Sequence, residues 1–262
     1  MKKVVLILAL ALTTSLTFAQ DAPATPAAPE APASKFAAAV DVVFPYLWRG
    51  FALNATDKVA FQPYASYAFT DKLTAGIWGT TNLSNDATSY NEFDVYVSYQ
   101  LSPVVKLMLS DYYSDYPGAK VSYWDFKSST QAVDLTVALN FSDKGVPLDF
   151  QWNTLIAGGD FKNNGNRNYS SYTEIGYTHS IESAGIDLRA FAGAVVNESN
   201  YYVTDGFTFS NVGLNIAKEI KISENYGIPV FVRYTYNDRG NFNKDGELKN
   251  SFISGGLTFK IK

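Results

Sequence analysis

Apolar and polar residues alternate one by one through most of the chain beyond Phe36. The clearest stretch is Glu92 to Leu101. There Phe93, Val95, Val97, Tyr99 and Leu101 fall on one side of an extended chain, and Glu92, Asp94, Tyr96, Ser98 and Gln100 on the other. Ala132 to Phe141 repeats it, with Val133, Leu135, Val137, Leu139 and Phe141 opposed to Asp134, Thr136 and Asn140. This period of two predicts twelve strands, at 36–49, 58–70, 72–83, 91–101, 104–114, 130–141, 146–157, 169–180, 185–197, 207–222, 228–237 and 249–261.

The connections sort into two kinds. Thr70-Asp71-Lys72, Ser102-Pro103, Ser142 to Gly145, Glu182 to Gly185 and Ser223 to Gly227 are short turns. Longer polar loops near 50–57, 84–90, 115–129, 158–168, 198–206 and 238–248 alternate with them. An even strand count with short turns on one side and long loops on the other predicts an all-β fold, a transmembrane antiparallel up-and-down β-barrel of about 12 strands. A soluble sandwich has no reason to sort its loops this way. Aromatic residues near strand ends, such as Trp48, Phe69, Tyr99, Tyr112, Tyr177, Tyr236 and Phe259, suit interfacial girdles, although aromatics also favour strands generally.

The first residues read as an export signal: Lys2 and Lys3, a short apolar run from Val4 to Leu12, and Thr17-Phe18-Ala19 at the cleavage site. The expected division is a signal peptide over 1–19, a Pro/Ala-rich spacer over 20–34 and a barrel over 35–262. There is no cysteine, so disulfides and thiolate metal sites are excluded. Once Lys2 and Lys3 are removed from the 21 basic residues, 19 face 25 acidic ones, a balance that argues against a nucleic-acid partner. No later apolar run approaches a membrane-spanning helix, but a membrane barrel needs apolar residues on only one face of each strand.

Three motifs, in order, carry a family resemblance: Tyr46-Leu47-Trp48-Arg49-Gly50, Glu92-Phe93-Asp94-Val95-Tyr96, and Tyr112-Tyr113-Ser114-Asp115-Tyr116-Pro117. Together they resemble the TorF-type porin family of bacterial outer-membrane proteins. The likeness spans the first half of the chain and fades beyond about 130. It implies an outer-membrane barrel with a channel, and supplies no substrate and no catalytic residue.

With the apolar parity outward, the inner face carries Asp41, Glu92, Asp94, Asp134, Asp149, Glu174 and Asp187, with Lys106, Arg189, Arg233 and Lys260. A wet lumen solvates these groups, whereas a dry core would not. Seven acids against four bases predict a channel for small hydrophilic solutes that mildly prefers cations. The partners are then outer-membrane lipid and the solutes themselves, and the oligomeric state stays unassigned. The opposite arrangement is also admissible: acids and bases pair across neighbouring strands and plug the lumen, in a network that Asp187 and Arg189, two apart on one face, are placed to join. Twelve strands lie between small filled barrels and wide channels. Loop 115–129, with Lys120, Tyr123, Trp124, Asp125 and Phe126, is a candidate constriction or external binding loop.

Enzyme chemistry finds little support. The only histidine, His179, has outward parity, and Ser180 beside it points the other way. Asn241 to Gly246 begins like a calcium loop, but the twelfth position is Phe252 where a bidentate Glu is required. No metal site and no cofactor is expected.

Overall fold

The computed structural model describes residues 35–53, 58–85, 89–115, 122–128, 130–242 and 247–261. The proposed leader and spacer lie outside them, as does most of the calcium-like stretch. Fourteen strands follow in chain order: β1 Phe36–Phe44, β2 Leu47–Trp48, β3 Phe51–Ala52, β4 Ala60–Ala68, β5 Leu73–Thr81, β6 Asn91–Gln100, β7 Val105–Asp115, β8 Gln131–Asn140, β9 Leu148–Gly158, β10 Ser171–Ile181, β11 Ile186–Val195, β12 Thr208–Ser223, β13 Tyr226–Phe242 and β14 Leu248–Ile261. All except β2 and β3 form one closed barrel in which each strand pairs antiparallel with the next. Strand β1 closes it, pairing with β4 on one side and with β14 on the other, from Ala38 opposite Ile261 to Phe44 opposite Gly255. The twelve-stranded, all-β barrel is therefore as the alternation predicts.

Burial follows the same period. On β6, Phe93, Val95, Val97 and Tyr99 are exposed outward, whereas Asp94 and Ser98 are buried. On β13, Val232, Tyr234 and Tyr236 are exposed, whereas Arg233, Thr235 and Asn237 are buried. The barrel thus turns its apolar side chains out and its polar ones in. Among the described residues no helix is long and apolar enough to cross a membrane.

Two strands depart from the expected bounds. The first stops at Phe44 rather than running to Arg49, because Pro45 has no N–H for the ladder. The chain then doubles back as the β2–β3 hairpin, with Leu47 opposite Ala52 and Trp48 opposite Phe51. Its two turn residues, Arg49 (φ +50°) and Gly50 (φ +82°), both have positive φ, the requirement of a tight type I′ turn. The second departure is β13, which extends to Phe242, five residues beyond the predicted end, after a register shift between Tyr236 and Asn241.

Candidate functional site

The β2–β3 hairpin folds into the barrel rather than out from it. Tyr46 and Trp48 pack with Trp78, Tyr112, Leu155, Tyr172 and Tyr202 in one buried cluster. Trp78, Tyr112, Leu155 and Tyr172 belong to β5, β7, β9 and β10, so the cluster occupies the lumen at its loop end. Trp48 stacks on Tyr202 (5.5 Å between ring centroids, 16° between planes) and meets Tyr112 edge-on at 5.9 Å. Tyr46 lies 5.8 Å from Trp78 and donates to Glu92.

Side chains of β13 moor the hairpin tip. Asn237 and Asn241 donate to the Gly50 carbonyl at 2.9 and 2.8 Å, and the Ala52 N–H donates to Asn241. A Cβ on Gly50 would overlap the Ser210 carbonyl of β12, so both the φ and the close approach require glycine. Tyr202 is placed by a second, polar clamp. Ser199 and Thr204 exchange backbone hydrogen bonds, and the Tyr202 N–H donates to Ser199 Oγ. Ser199 Oγ in turn meets Ser170 Oγ, which donates to the fully buried Asp160. Burial pushes the Tyr202 phenol above its ordinary range, and burial with Glu92 does the same to Tyr201, so both loop phenols stay protonated.

This assembly delivers Arg49 to the middle of the cluster. Its Nη2 lies 2.5 Å from Asp134 Oδ2, its Nη1 donates to Tyr202 Oη, and its guanidinium carbon lies 4.4 Å from the Trp48 ring and 5.1 Å from the Tyr172 ring. Tyr112 donates to the same Asp134 oxygen at 3.0 Å. Arg49 is thus held by charge, hydrogen bonds and two ring faces at once.

A second charged cluster belongs to the wall. Arg189 on β11 reaches across Gly176 on β10 to Asp149 on β9 at 2.6 and 3.1 Å, and meets Glu174 at 2.8 Å. A Cβ on Gly176 would collide with the guanidinium. Glu174 also accepts from Tyr172 and, at 2.7 Å, from Asn211. Arg233 donates to Asn215 and sits between the rings of Phe191 and Phe231, 5.5 and 5.6 Å away.

The eleven inner-face positions named from the sequence all fall on inward parity. Asp41 accepts from Thr258 at 2.6 Å. Asp187 accepts from Ser180 at 2.5 Å rather than pairing with Arg189. Asp94 is buried beside Glu92, and Lys106 is half-buried nearer the turns. Lys260, at the rim, lies 3.6 Å from Glu219, an inward acid that the sequence reading missed. Arg49, a base that the hairpin carries into the lumen, was also missed, as was the buried acid Asp160.

Of the candidate constriction loop, residues 122–128 are described. Lys120 lies outside the described residues. Tyr123 donates to Asp111 at 2.9 Å and packs on Tyr113 at 5.2 Å, and both partners have outward parity. Trp124 and Phe126 are exposed, as is Asp125. Among the described residues, Tyr46, Trp48 and Tyr202 pack inside the barrel, whereas Tyr123 of the aromatic loop meets the outward-facing Asp111 and Tyr113. Pro45 followed by Arg49-Gly50 between aromatic flanks was the signal available for the inner hairpin. His179 is exposed on the outward face, and its neighbour Ser180 points inward.

No family model matches the chain, and no curated protein matches it, so the TorF-type resemblance rests on its three motifs alone. Among solved structures, the NanC porin in a rhombohedral crystal form is 11% identical over 86% of this chain and 99% of its own, with a TM-score of 0.49. A chain from work on the in-meso crystallization of membrane proteins is 7% identical over 86% of this chain and 83% of its own, with a TM-score of 0.45.

Proposed function

We propose that the chain is a porin-like channel of the bacterial outer membrane, passing small hydrophilic solutes by diffusion through a narrow lumen with mild cation preference. One observation carries this reading: a closed barrel exposes its apolar residues outward and buries charged ones inside. A water-soluble barrel needs the reverse arrangement, whereas a bilayer solvates an apolar belt and water in the lumen solvates the charges. The acid excess on the wall supports cation preference, since carboxylates raise local cation concentration in a confined pore. The inner hairpin supports narrowness. No step of this reading uses a catalytic residue, a metal or a cofactor.

The filled loop end also favours a second reading, a closed barrel whose external loops contact a surface ligand or a partner protein. Currents across a planar bilayer holding the purified mature protein, under a salt gradient, separate the two. The channel predicts discrete conductance steps with a cation-selective reversal potential. Folded, inserted protein that never conducts under any applied voltage overturns it in favour of the closed barrel.

A further inference from the structure

We infer that the pocket around the Arg49 guanidinium is a binding site for guanidinium-bearing organic cations, occupied in this structure by the chain's own arginine. The inference rests on the channel reading in one respect only, that solutes reach the lumen.

Most of the pocket exists independently of the hairpin. Asp134 comes from β8, Tyr112 from β7, Tyr172 from β10 and Tyr202 from the clamped loop 199–204. They converge on a point where a planar cation sees one carboxylate, one phenol oxygen and a ring face. Such surroundings suit guanidinium better than ammonium, because guanidinium is planar, weakly hydrated and stacks on aromatic rings.

The loading of Asp134 is lopsided. This carboxylate is fully buried, and Oδ2 takes both Arg49 and Tyr112. Oδ1 is buried too and has no hydrogen-bond partner among the described residues. A guanidinium has parallel N–H pairs that match both oxygens of a carboxylate, yet tethered Arg49 meets only one. An untethered ligand has no such restriction. The tether is itself costly, because Arg49 holds φ +50° on a turn closed by two strand pairs. A covalently attached group nevertheless competes at high effective concentration, so the intact chain resists displacement.

The test uses the full-length mature protein with Arg49→Ala, which empties the pocket but leaves Trp48 and the mooring of Gly50 in place. Methylguanidinium is the probe, methylammonium the comparison cation. Two readouts are taken: block of the bilayer current, and thermal unfolding in detergent followed by the heat-dependent shift in electrophoretic mobility. Expected for Arg49→Ala are block by millimolar methylguanidinium and a rise in its unfolding temperature. Methylammonium should need about tenfold more for either effect, as should methylguanidinium against Arg49→Ala with Asp134→Asn. The unaltered chain should respond to neither cation.

A conducting Arg49→Ala protein that methylguanidinium neither blocks nor stabilises overturns the site and leaves the channel standing. A folded protein that never conducts but is stabilised by methylguanidinium, dependent on Asp134, keeps the site and removes the channel. Equal responses to both cations overturn the guanidinium class.

Discussion

Arg49 and Arg189 face carboxylates inside the same barrel and beside aromatic rings, but different backbones carry them. Arg189 stands on β11, and its partners stand on β9 and β10. The ladder that joins these strands fixes the donor and both acceptors, so the ion pairs brace a wall that the backbone already defines. Arg49 stands on the tip of a hairpin with two strand pairs of its own, moored by Asn237, Asn241, Tyr202 and Asp134. Nothing in the ladder requires it to stay. Similar chemistry therefore acts as a strut in one place and as a latch in the other.

The largest break in this comparison comes from Gly50→Val. The side chain would overlap the Ser210 carbonyl, and a β-branched residue tolerates φ +82° poorly, so the hairpin cannot seat. We expect segment 46–53 to become cleavable by protease and the conductance step to grow several-fold. An unchanged step would mean that the hairpin does not set the bore.

Arg189→Met tests the strut. It leaves Asp149 and Glu174, on neighbouring strands, without their shared cation. Removing one partner of a buried pair costs about 3–5 kcal/mol, and the part-exposed Asp149 places this case near the lower end. Urea unfolding in lipid vesicles should show that loss while the conductance step stays close to that of the unaltered chain. A large new conductance would make Arg189 a latch as well.

Tyr112→Phe weakens the latch without removing it. Asp134 keeps Arg49 and loses one hydrogen bond, worth about 1 kcal/mol or somewhat more at a charged acceptor. If the channel opens when the hairpin leaves its seat, the ratio of closed to open time should fall about fivefold. Long current records give that ratio directly, and no change would place Tyr112 outside the latch.

The strut was partly legible in the sequence and the latch was not. Period two places Asp149, Glu174 and Arg189 on one face without any knowledge of the turns, because each strand reads its own parity. Their pairing requires register: Asp187, two residues from Arg189, looked like the nearer partner, yet Asp149 lies opposite Gly176 and so comes within reach. The latch depends on a segment where the period breaks. Treating 36–49 as one strand carried the reading straight through Pro45, and Arg49 was seen as part of a motif rather than as a turn residue. The aromatic richness of 115–129 does not say whether a loop folds inward or outward, since composition carries no direction; Tyr123 meets the outward-facing Asp111.

Trp124→Ala measures the smallest effect and decides that last point. Trp124 is exposed, and its ring contact is with Tyr123, which is anchored to the outward-facing Asp111. If the bore is set by the inner hairpin, removing this indole leaves step size and selectivity unchanged, and alters stability by no more than about 0.5 kcal/mol. A change in step size comparable to that of Gly50→Val would return the constriction to the aromatic loop. The hairpin would then be a second strut, held in the lumen for rigidity rather than for passage.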